Sequence, residues 1–151
     1  MDNFKISIIN SCKAYLKDRF ESISSALQEA NSSLFADTKS SAGDKYETSR
    51  EMIQQDITRF QSQLNLVDQD KLIIERIENN HENFIKATTG ALIHTEVGYF
   101  FIAISIGKLI VDAKDIYVIS SQSPIGKSLL GLSVKDTFLF QNKSIEILKI
   151  D

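Results

Sequence analysis

The first residues with the types and spacing for chemistry are Gly43-Asp44-Lys45-Tyr46-Glu47. Asp44 and Glu47 are three apart, so on a helix both carboxylates face one way. Two such oxygens can supply part of the shell of a hard cation such as Mg²⁺. Alone they would hold it weakly, so a full site needs ligands from a partner. The same spacing is also that of a capping box, with Asp44 accepting helix N–H bonds and Glu47 reaching back.

A second segment, Ser123-Pro-Ile-Gly-Lys-Ser-Leu-Leu-Gly131, is followed by Val134-Lys-Asp136. Here too local structure offers its own account. Ser123 fits an N-cap, Pro124 the first helical position and Gly131 a C-terminal stop.

Little else suggests a self-contained active site. No nucleophile triad, phosphate-binding loop, dinucleotide fingerprint or zinc pattern is present. His81 and His94 have no Cys or His at ligand spacing and read as surface or sheet residues. The single cysteine, Cys12, excludes an intramolecular disulfide and falls at a core-like helical position, where a buried apolar role is expected. The net charge of -3 argues against a general polyanion binder. Residues 1–80 carry ten Lys/Arg against thirteen Asp/Glu, and residues 81–151 seven of each. Any nucleic-acid contact is therefore local and geometric. The opening MDNFKISIINSCK has too short an apolar run for a signal peptide. No stretch approaches the roughly 20 apolar residues that cross a bilayer. A soluble, cytoplasmic protein with no membrane contact is expected.

Positioning these segments is the task of two kinds of pattern. Phe4, Ile8, Cys12, Leu16, Phe20, Ile23, Leu27 and Ala30 step by three or four, which is one helical stripe. Tyr46, Ile53, Ile57, Phe60, Leu64, Val67 and Ile74 form another, with Ser49 and Lys71 at the missing steps. Each stripe is narrow and suits one partner helix. Two helices of about 30 residues would make a hairpin rod roughly 45 Å long. Residues 31–43 are rich in turn formers, with Leu34 and Phe35 placed to cap the seam. Whether the second helix bends at Leu66–Lys71 or runs on to Ile77 is left open by the residues.

From Gly90 the chain changes to β-branched and aromatic runs: Ala91–His94, Tyr99–Ile106, Leu109–Val111 and Ile116–Ser120. The Ser123–Gly131 helix and two further strands, Thr137–Phe140 and Ser144–Ile150, complete it. The fold class is thus α+β. An N-terminal antiparallel helical hairpin (coiled coil) spans 1–80, with an acidic tip around 32–47. A C-terminal antiparallel β domain with one short helix spans 81–151.

In combination, the hairpin, the acidic tip and a β domain carrying S-P-I-x-x-x-L-L-G resemble the Gre transcript-cleavage factors of bacterial RNA polymerase, over essentially the whole chain. Gly43, Asp44 and Glu47 match the family's G-D-x-x-E. Ser123, Pro124, Ile125, Gly126, Leu129, Leu130, Gly131 and Asp136 match the pattern of its FKBP-like C-terminal domain, and Lys135 stands where the family usually has Gly. A second register aligns Tyr46 and Arg50 with the family's Tyr and Arg and leaves Lys39 and Ala42 at the acidic positions.

The resemblance implies a transcription elongation factor in the polymerase secondary channel, meeting the nascent RNA 3′ end indirectly. Asp44 and Glu47 would share the second catalytic Mg²⁺ with the polymerase and stimulate its intrinsic RNA cleavage. Lys39, Lys45 and Arg50 would lie near RNA. Ser123, Pro124, Ile125, Lys127 and Leu130 would face the polymerase. Such a factor is a monomer, not an independent enzyme, and meets DNA only through the polymerase. The alternatives are a non-cleaving channel regulator and a coiled-coil/FKBP-like interaction adaptor.

Overall fold

A computed structural model describes residues 1–37 and 43–151, with the side chains of all these except 37 and 43–46. Two long antiparallel helices, α1 (Asn3–Asp37) and α2 (Gly43–Asn79), pack together and precede a mixed β-sheet domain with one short helix. The protein is α+β. The chain divides into two compact units, Ala14–Lys71 and a second made of Met1–Lys13 with Leu72–Asp151.

Within Ala14–Lys71 the seam follows the expected stripes. Leu16, Ile23, Ile57 and Val67 are buried, and Phe20, Leu27, Phe60 and Leu64 are half-buried. Lys71 fills its apolar step by laying its ammonium 4.2 Å from the centre of the Phe20 ring, a cation–π contact that keeps the stem in the seam. Burial raises the pKa of half-buried Asp70, and the Arg19 charge opposes the rise. Helix α1 runs seven residues past Ala30, through Asn31–Asp37, where a turn was expected. With no Gly or Pro in that stretch, Asn and Ser cost only about half a kcal/mol each in a helix interior. Leu34 is half-buried there, and Phe35 is 65% exposed. Helix α2 is continuous through Leu66–Lys71 and ends at Asn79.

In the other unit the first turns of α1 bury more than one row. Lys5, Ile8, Ile9 and Cys12 are all covered, as are Ile74 and Ile77 of α2. Lys13 Nζ lies 2.6 Å from Glu78 Oε2, tying the two helices. Burial pushes the Cys12 thiol up to about 12, which keeps it protonated and inert.

Seven strands follow: β1 (Leu92–Thr95), β2 (Gly98–Ala103), β3 (Gly107–Val111), β4 (Lys114–Ser120), β5 (Thr137–Phe140), β6 (Lys143–Glu146) and β7 (Lys149–Ile150). Helix α3 (Pro124–Leu129) lies between β4 and β5. The five-stranded sheet has the order β3-β4-β2-β1-β7, and β5 and β6 form a separate hairpin. An all-antiparallel sheet was expected, but β2 and β4 run parallel, with Phe100 opposite Tyr117 and Ile102 opposite Ile119. The β3–β4 hairpin folds back so that β4 inserts beside β2 and β3 becomes an edge. Its turn uses Asp112 and Ala113, both at positive φ, the geometry that matches strand twist. Phe100, Phe101, Ile102 and Ala103 are all buried, so β2 is covered on both faces and reads as one unbroken apolar run.

One face of that sheet carries the core formed by Phe100, Ile102, Leu129, Phe138, Ile145 and Ile147. The Phe100 ring stacks on Tyr117 and meets Phe138 and Phe140 edge-on. On the other face Tyr99 meets Phe4 of α1, ring centres 5.0 Å apart. The single strand expected over Ser144–Ile150 is two. After Glu146 the chain bonds through Ile147 to Lys135 and Asp136, then joins β1 as β7.

Candidate functional site

The acidic pair sits at the connected end of the two helices. Helix α1 ends at Asp37, α2 begins at Gly43, and positions 44 and 47 fall in and just after the first turn of α2. The helix starts at Gly43, so Asp44 falls in its first turn. A carboxylate there is favoured by the positive end of the helix dipole. Glu47 and Arg50 are exposed, one helical turn apart. Lys39 lies outside the described residues, as do the side chains of Asp44 and Lys45. Among the described residues no group of three or more His, Cys, Asp or Glu side chains could hold a metal ion. Two carboxylates would supply roughly a third of an octahedral Mg²⁺ shell.

The second segment is α3. The Ser123 hydroxyl accepts a bond from Gly126 N–H at 3.1 Å and donates to the Ser120 carbonyl at 2.7 Å. Pro124 takes the first helical position, where no N–H is needed. At the far end Leu130 N–H bonds Gly126 O, and Gly131, at φ +84°, donates to Ala87 O. Pro124, Lys127 and Leu130 are exposed and three residues apart, so they share one face. Ile125 is instead half-buried against the core, because the next helical position turns inward. Ser123 is occupied by the cap.

The turn after α3 is held by Asp136, whose carboxylate accepts the Ser133 N–H at 2.7 Å. Lys135 donates its own N–H to Ile147 O at 2.8 Å. Its φ is +76°, a conformation that favours glycine.

A third group of side chains escaped the sequence reading. His94 Nε2 on β1 lies 2.6 Å from Asp151 Oδ2, and Lys149 Nζ lies 2.7 Å from Asp151 Oδ1. The His94 contact pairs opposite charges only when the ring is protonated, and its alignment is poor, since buried Nε2 makes no hydrogen bond of acceptable geometry. Burial lowers the His94 pKa. The Asp151 carboxylate works against the shift, and Lys149 and Lys114 add to it. For Asp151 burial acts upward, but Lys149 and His94 outweigh it and hold the carboxyl below its usual range. Lys5 Nζ donates to the main-chain oxygen of the same Asp151 at 3.1 Å. Residues 5, 94 and 151 have no shared motif, and only the fold assembles them.

Among the described residues no helix is long and apolar enough to cross a membrane. Compared with known proteins, the chain matches no family model, no curated protein and no solved structure.

Proposed function

We propose that this chain is a transcription factor of the Gre type, acting in the secondary channel of RNA polymerase and stimulating cleavage of backtracked RNA. The observation that carries the proposal is the place of Asp44 and Glu47 at the start of α2, with five residues between α1 and α2. A hairpin end is the part of such a protein that can enter a narrow channel. Its two carboxylates would complete a metal shell whose other ligands belong to the polymerase, which is cleavage assisted in trans. Lys45 and Arg50 near the same end, with Lys39 between α1 and α2 in sequence, would accompany RNA phosphates. The β domain, FKBP-like on this view, would dock through the exposed face of Pro124, Lys127 and Leu130. A second support is Lys135, whose positive φ falls where the Gre pattern has Gly. The factor would be cytoplasmic and monomeric, and no catalyst on its own.

A non-cleaving channel occupant is the second reading. The register that aligns Tyr46 and Arg50 with the family favours it, because Lys39 and Ala42 then replace the acids.

One experiment tests both. The purified protein is added to a stalled, backtracked elongation complex carrying labelled RNA. Shortening of the RNA from its 3′ end in a Mg²⁺-dependent manner is the expected result. Unchanged RNA with reduced channel access supports the second reading. Unchanged RNA and no binding to polymerase overturns both.

A further inference from the structure

We draw no further inference here: the strongest candidate, the uncharged groove along the last turns of α1 lined by Leu27, Gln28, Asn31 and the exposed Phe35, is an open helix face, and nothing among the described residues shows what would cover it.

Discussion

Gly126 presses against the main-chain carbonyl of Ser120 so closely that no Cβ fits between them, and a Cβ would stand 2.9 Å from the Ser120 carbonyl carbon. That carbonyl also accepts both the Ser123 N–H, at 3.1 Å, and the Ser123 hydroxyl. The end of β4 and the start of α3 are thus locked backbone to backbone. Gly126→Ala would force them apart and break the cap. The expected loss is about 1 to 3 kcal/mol of stability, the range for overpacking a tight site. Urea denaturation should show a lower midpoint. An unchanged midpoint would mean the β4–α3 junction yields without cost.

Lys135 offers the opposite case. It holds φ at +76° while its N–H bonds Ile147 O, a conformation that costs a side-chain-bearing residue roughly 1 kcal/mol or more. Lys135→Gly should therefore gain roughly 0.5 to 1 kcal/mol once the extra unfolded-state freedom of Gly is counted. Lys135→Ala removes the same charge without the conformational relief and should gain nothing. A gain shared equally by both variants would assign the effect to charge.

Much of this architecture was legible in the residues. The Leu16–Ile23 and Ile57–Val67 seams follow from spacing alone, as do Ser123, Pro124 and Gly131 at the ends of α3. The parallel pairing of β2 with β4 was not, because strand order depends on where the β3–β4 hairpin folds back and not on the strands' own composition. Lys5 was equally hidden. A lysine in the first turns of a polar helix reads as solvated, and only the additional burial around Ile9 and Cys12 shows that a second face of α1 is covered there. The Asp151 partners were out of reach for the same reason, since local patterns carry no information about residues 146 apart. For the acidic pair, the position was readable and the role was not, because a cap, a dipole partner and a metal ligand all call for a carboxylate at a helix start.

The two perturbed bases in the β-domain unit should leave marks of the same sign on stability in different pH windows, since both pKa values are lowered. Lys5 has a folded pKa of about 8 against 10.5 in the unfolded chain. Between those values the unfolded state binds more protons, so stability should rise with pH from about 8 to 10.5 as the buried charge is lost. The shift sets an upper bound of about 3 kcal/mol. His94 has a folded pKa below 6.5. Its contribution is present above pH 6.5 and is lost as pH falls below that value. Asp151, also lowered, adds a further loss below pH 3.8. Guanidinium midpoints across pH should show the alkaline rise in wild type and not in Lys5→Met. The loss below pH 6.5 should be reduced in His94→Gln. An alkaline rise that survives Lys5→Met would place its origin in another group.

The last prediction separates a catalytic pair from a helix start. Asp44 belongs to the first turn of α2, so Asp44→Asn forfeits a favourable charge–dipole interaction of about 0.3 to 1 kcal/mol. Glu47→Gln, at an exposed position, should cost no more. Both variants should fold and bind polymerase as wild type does. Metal activation depends on full negative charge, because a neutral amide oxygen is a poorer ligand for Mg²⁺. Each substitution should therefore reduce stimulated RNA cleavage by at least about tenfold while leaving polymerase binding unchanged. The informative comparison is cleavage against binding in the same variant, since a structural role would lower the two together. If wild type stimulates cleavage and both variants retain it, the carboxylates serve only the helix. The register through Tyr46 and Arg50 then becomes the better alignment, and Arg50→Ala should weaken channel occupancy where the acidic variants do not.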